Sequence, residues 1–209
     1  MGSKKTGSAP VIAIDRVPSE HIRVPIIGTA PLILHRFSDK ARRQMLDKQQ
    51  SRMSPPKNRD PQAEYEAAFH RLKNGAPGFP ASGFKQATVG AGRFYRSVTM
   101  AALKQFLFFV GEPGADRLAL VQIYGEPTMR EDVVRIARTT DLRYRPMFAE
   151  WSAHLDVIFV PTMVTRGSVL SLIDAGGLGV GVGEWRPEKD GEFGTYKIDP
   201  TKDIEVFPS

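Results

Sequence analysis

The chain has no cysteine. Disulfide bonds and thiolate metal centres are therefore excluded. Histidine is scarce as well: His21, His35, His70 and His154 are the only four, and no pair has metal-ligand spacing. No apolar run approaches the roughly 18–20 residues of a membrane-spanning helix. The first eight residues carry Lys4 and Lys5 without the apolar stretch of a secretory signal. A cytoplasmic protein without a membrane partner is expected, with residues 1–18 as a disordered tail. No serine–histidine–acid set and no carboxylate pair stands out, so no catalytic residue, metal or cofactor is assigned. A nucleotide loop is missing too. Gly179-Val180-Gly181-Val182-Gly183 lacks the Gly-Lys-Ser/Thr end of a P-loop, and it follows a helical pattern rather than a strand.

What the chain does have is positive charge and glycine. Its 209 residues carry a formal net charge of +6 and a pI of about 9.6. That favours a polyanionic partner. The charge is concentrated. Between Arg36 and Arg59, eight basic residues stand against Asp39 and Asp47, so this segment alone carries +6 and the remainder is neutral overall. Arg36, Lys40, Arg42, Arg43, Lys48 and Arg52 lie in it, on an expected helix over about 39–50 capped by Ser38 and on a polar loop to Pro61. Such residues neutralise phosphates and release counterions without reading sequence. A second basic set, Arg130, Arg135, Arg138, Arg143 and Arg145, is interleaved with Tyr144 and Phe148, which suits backbone tracking and base stacking. Pairing with Glu131, Asp132 and Asp141 is the plain alternative for these arginines.

Apolar periodicity gives the elements. Ile22 to Ile27 alternates around Pro25, so an edge strand or a bulge is expected. Ser82 is the expected cap of a helix over about 83–95, and another helix covers about 98–105. Phe106–Val110 and Leu118–Tyr124 read as strands. Residues 131–147 stay open between helix and strand. Trp151–Val160 alternates as a strand, and Thr165 caps a helix through Ala175 with Val169, Leu170, Leu172 and Ile173 on its apolar face. Seven glycines then fall between Gly176 and Gly194. Glycine weakens regular structure, so this run is expected to turn sharply or to approach something closely, with Trp185 and Arg186 at its exit facing a base or a phosphate. Phe193–Ile198 and Ile204–Phe207 close the chain as strands. Strand–helix–strand thus recurs with long insertions, which argues for an α+β domain of ferredoxin-like kind.

Two segments carry a resemblance. Phe79-Pro80-Ala81-Ser82-Gly83-Phe84-Lys85-Gln86-Ala87, with Arg93 downstream, resembles the "PGSSLKG…R" element of the RAMP superfamily, the repeat-associated proteins that include backbone and processing subunits of CRISPR effector complexes. The closing Gly176-Gly177…Gly183…Gly191…Phe193-Gly194 is similar to that superfamily's terminal glycine-rich loop, and the order of the two segments agrees. The whole chain also resembles phage-encoded proteins that share the ending "GVGEWRPE…G.FG", which would place it in a host cytoplasm. The resemblance covers about a third of the chain. It departs at Gly83, where a second serine is expected, and at Glu184-Trp185-Arg186. It implies a modified RNA-recognition-type fold over residues 19–209, with a basic insertion at about 36–61. It further implies a non-catalytic protein that binds single-stranded DNA or RNA and assembles as an oligomer or filament. Lys85, Arg93, Arg143, Tyr144, Arg145, Trp185 and Arg186 join the basic segment as candidate nucleic-acid contacts. Two other readings stay open: a metal-independent endoribonuclease using His35 or His70, and a protein-binding mimic of a CRISPR subunit. Separately, the resemblance makes Asp39 a candidate for the acidic residue with which some RAMP backbone subunits cut bound RNA.

Overall fold

Strand β1 (Glu20–Gly28) is the axis of the computed structural model, which describes residues 15–36, 59–96, 98–115, 117–136 and 139–208. The expected N-terminal tail to residue 14 and the basic helix over 39–50 lie outside the described residues. After β1 come β2 (Leu32–Ile33), α1 (Pro61–Ala67), β3 (His70–Arg71), β4 (Pro77–Pro80), α2 (Ala81–Gly90) and α3 (Met100–Phe106). Then follow β5 (Leu107–Val110), β6 (Glu112–Pro113), β7 (Ala119–Gln122), β8 (Pro127–Ile136) and β9 (Thr139–Phe148). The chain closes with β10 (Ser152–Phe159), α4 (Arg166–Gly179), β11 (Tyr196–Ile198) and β12 (Glu205–Phe207). No helix of the described residues is long and apolar enough to cross a membrane.

The main sheet has the order β11-β1-β10-β5, with β12 also paired to β1, and every pairing is antiparallel. Taken in chain order, β1, α2, β5, β10, α4 and β11 make a strand–helix–strand–strand–helix–strand unit whose last strand lies beside its first. This is the ferredoxin-like arrangement, so the domain is α+β as expected. Alternation explains the buried face. Ile22 faces Val157, Val24 faces Leu155 and Ile26 faces Ala153 across the β1–β10 register, and all six are buried. The helices α2 and α4 cover that face, contributing Phe84, Ala87, Val169, Leu172 and Ile173 to the same core. Two smaller sheets, β2-β9-β8 and β3-β4-β7-β6, are the insertions.

Several expectations change. β1 is an interior strand, not an edge. Its outer side is shared by β12, paired with His21–Arg23, and β11, paired with Ile26–Gly28. Pro25 falls in the gap between them. Its carbonyl accepts from the Asp199 N–H at 2.9 Å, so its missing N–H points to a side where no ladder partner is required. Helix α2 starts at Ala81 directly from β4, with Pro80 at the cap position and no side-chain cap; Ser82 does not serve. A single 3-10 turn, Ala91–Phe94, continues it. Helix α1, capped by Asp60, begins at Pro61, where the polar loop was expected to end. Residues 131–136 and 139–147 belong to the paired antiparallel strands β8 and β9, and only Tyr196–Ile198 of the 193–198 stretch is strand.

The largest correction concerns the glycine run. Thr165 caps α4 as expected, accepting from the Ser168 N–H, but the helix continues to Gly179. Gly176, Gly177 and Gly179 are therefore helical, against their intrinsic preference. Packing is the reason. A Cβ on Gly176 would lie 2.7 Å from the Ala87 carbonyl oxygen in α2, and one on Gly177 would lie 2.1 Å from the Tyr196 carbonyl oxygen in β11. The helix thus rests backbone to backbone on both neighbours. Gly177→Ala is expected to cost about 2–3 kcal/mol through overpacking, a fall of roughly 5–10 °C in Tm for a chain of this size. Gly167→Ala, in the first turn of the same helix where a Cβ meets nothing within 4 Å, should instead raise stability by up to about 1 kcal/mol. Thermal melts followed by circular dichroism check both.

Candidate nucleic-acid interface

Once α4 ends, the chain doubles back over β2. Val180 and Val182 are buried and pin the loop to the core, while Gly181 and Gly183 take left-handed φ values of 70° and 78° between and after them. The Glu184 N–H donates to the Ile33 carbonyl at 3.0 Å. Across from this loop stands the start of α2. Together they bound an open cleft of about 170 Å³ lined by Phe79, Gly83, Gln86, Gly181, Glu184 and Arg186, with His35 in its wall. The two segments that carry the resemblance, about a hundred residues apart in the chain, are thus the two sides of one cleft. Gly83, where the pattern has serine, is required locally: a Cβ there would lie 2.4 Å from the Phe79 ring.

Beside the cleft stands the β8–β9 hairpin. Its register sets Arg130 opposite Arg145 and Asp132 opposite Arg143, so all four share one face. Directly opposed arginines repel, and Asp132 relieves this by bridging them. Its carboxylate accepts from Arg130 Nε at 2.7 Å and from Arg145 Nη2 at 2.6 Å. Arg145 and Asp132 are almost wholly buried, with side chains 1% and 4% exposed. The Glu184 carboxylate, from the glycine loop, accepts from Arg145 Nη1 at 3.2 Å. Trp185 follows in a left-handed conformation, φ 51°. Its indole has the Arg130 and Arg145 guanidinium groups at 5.2 and 5.0 Å and the Phe193 ring at 5.9 Å, a cation–π arrangement.

His35 joins this group. Arg143 Nη1 lies 3.3 Å from its Nδ1 and Glu184 lies 3.8 Å away. A guanidinium cannot accept, so Nδ1 accepts and the ring proton sits on Nε2. Burial lowers the His35 pKa, Arg143 and Arg145 lower it further, and Glu184 opposes them. The ring is accordingly neutral at pH 7. At the loop's exit, Arg186 donates to the Gly183 carbonyl at 3.2 Å and pairs with Glu188 at 2.9 Å, and Arg93 reaches the same Glu188 at 3.2 Å. The Arg186 hydrogen bond, with help from Arg93, holds the Glu188 carboxyl below its ordinary range.

Arg143, Arg145, Trp185 and Arg186 are therefore brought together, and Arg93 closes the far end of the loop. Lys85 is not part of the group: its ammonium donates to the Lys104 carbonyl at 3.0 Å and lies over the Phe108 ring. Tyr144 is on the opposite face of the hairpin, across from Glu131, whose hydrogen bond raises the phenol pKa. Arg36 follows His35 and donates its backbone N–H to the Ala68 carbonyl at 2.9 Å. Lys40, Arg42, Arg43, Lys48, Arg52 and Asp39 lie outside the described residues, and so does Arg138. His70 is on β3, away from the cleft lining. Sequence reasoning had Glu184 only as an oddity of the loop, and it named Asp132 as an alternative partner for these arginines without showing that the pair is buried. The period-2 spacing of Arg130–Asp132 and Arg143–Arg145 was the available signal, usable once the hairpin register is known.

No protein-family model matches the chain, and no curated protein does. Among solved structures it is similar to the crystal structure of Cmr6 from Pyrococcus furiosus, at 10% sequence identity and a TM-score of 0.42, over 88% of this chain and 100% of that one.

The buried Arg145–Asp132 pair makes a clear demand. Arg145→Ala leaves Asp132 buried without that partner and is expected to destabilise by about 3–5 kcal/mol. Arg145→Met combined with Asp132→Asn removes both charges and should cost less than the single change. Denaturant titration of the two variants compares them directly.

Proposed function

We propose that this protein is a non-catalytic, single-stranded nucleic-acid-binding protein of RAMP-like build. The observation that carries the reading is the cleft: the two resembling segments face each other on a ferredoxin-like scaffold, with arginines of one hairpin face beside them. At about 170 Å³ the cleft is smaller than a usual small-molecule site of roughly 300–1,000 Å³. It suits one unit of a strand lying across it.

The basic segment supports the same reading through its roots. The chain leaves the cleft wall at His35, which holds Arg143. It returns at Arg59, whose guanidinium pairs with Asp141 at 2.8 Å and with Glu64. Both ends of the +6 segment are therefore moored to β9, two residues apart, next to the cleft. Lys40, Arg42 and Arg43 supply phosphate contacts along a strand, Arg186 borders the glycine loop, and Trp185 offers an aromatic face for a base. Contacts of this kind do not read sequence. His35 gives no support to cleavage chemistry, because its basic nitrogen is engaged by Arg143 and a general base needs that lone pair. Copies bound side by side along one strand give the oligomer that the resemblance implies.

Filter binding to an oligothymidylate and to an oligouridylate over a salt series is the direct test. Affinity should fall with salt. Lys40→Ala with Arg42→Ala and Arg43→Ala should shallow the log–log slope by about 2, at roughly 0.7 per lost phosphate contact. Trp185→Ala should weaken binding by about 1–3 kcal/mol with the slope unchanged. An absent affinity, or one indifferent to salt, would sink the proposal.

A further inference from the structure

We infer that Glu184 is a resident anion in a phosphate site formed by Arg143, Arg145 and His35, and that a phosphodiester binds there by displacing it. The inference rests on the proposed nucleic-acid reading and adds to it a specific site and a built-in competitor.

Charge balance is the first support. The hairpin face holds Arg130, Arg143 and Arg145. Of the carboxylates in the same rows, Asp132 bridges Arg130 and Arg145, and Asp141 is paired with Arg59. The face is short of negative charge, and Glu184 of the glycine loop supplies part of what is missing. A phosphodiester has what the Glu184 carboxylate has: one negative charge shared by two outward oxygens.

Bond quality is the second support. Asp132 meets Arg145 at 2.6 Å with both side chains nearly inaccessible, whereas Glu184 meets it at 3.2 Å and is 38% exposed. The first contact is structural and the second is exchangeable. Arg145 also keeps an unused donor. Among the described residues its buried Nε has no hydrogen-bond partner.

The third support is the backbone. Glu184 is flanked by Gly183 at φ 78° and Trp185 at φ 51°. A non-glycine residue in the left-handed region is held there against its preference. Releasing Glu184 lets this segment relax, and it frees the indole that the two guanidinium groups now cover.

Two readouts on the full chain test the site. Glu184→Gln keeps the shape and removes the charge. It should bind a 15-nucleotide oligothymidylate about fivefold to tenfold more tightly than the native chain at low salt, with a steeper salt slope. Adding Arg143→Gln should abolish that gain. In a thermal shift with inorganic phosphate, set against sodium chloride at equal ionic strength, Glu184→Gln should be stabilised more than the native chain. If the native chain binds the oligonucleotide while Glu184→Gln gains neither affinity nor phosphate stabilisation, the displacement is overturned and the nucleic-acid reading stands. If Glu184→Gln gains phosphate stabilisation and neither protein binds the oligonucleotide, the anion site stands and the nucleic-acid reading falls. Should Glu184→Gln melt early, phosphate must restore part of the loss; failure to do so marks Glu184 as purely structural and overturns the inference.

Discussion

Backbone-to-backbone contact along α4 sets the geometry on which the rest depends. With Gly176 against the Ala87 carbonyl and Gly177 against that of Tyr196, the helix has one depth and one rotation relative to α2 and β11. Both neighbours of the sheet's covered face are located by that contact. So is the exit of the helix, from which Val180 and Val182 carry the loop over β2. A helix standing one methyl group further out would lift the loop from the start of α2 and open the cleft. The glycines therefore act first on packing and only afterwards on the site.

A second layer of organisation is polar. Burying Arg145 and Asp132 costs desolvation that their mutual attraction only partly offsets. What such a pair supplies is position: it holds the hairpin face where Glu184, Trp185 and His35 can reach it. The ties between the hairpin and the glycine loop are weaker than those within the hairpin. Rigid support and an adjustable contact thus meet on one arginine.

Much of the scaffold was legible in the chain. Alternation in β10, the Thr165 cap and the strand–helix–strand recurrence led to an α+β, ferredoxin-like domain, and the two glycine-bearing segments were recognised as belonging together. The failures share a cause. Pro25 read as an edge signal because pattern alone does not reveal that two short strands divide the far side of β1. Gly176, Gly177 and Gly179 read as lying beyond the helix because propensity is local and the packing that keeps them helical is not. Arg145 stayed open between a contact and an ion pair, because its burial and its tie to Glu184 emerge only through the hairpin register and the loop's path. Tyr144 was grouped with its arginine neighbours, although adjacent strand residues point to opposite faces.

The mooring of residues His35 and Arg59 along β9 has a consequence for how this protein can vary. The ends of the intervening stretch are fixed by contacts outside it. Because that stretch carries a charge equal to the net charge of the whole molecule, overall polarity becomes a property that can be reset independently of the fold. A descendant of this chain with an acidic stretch between the same two moorings would carry a net charge of the opposite sign.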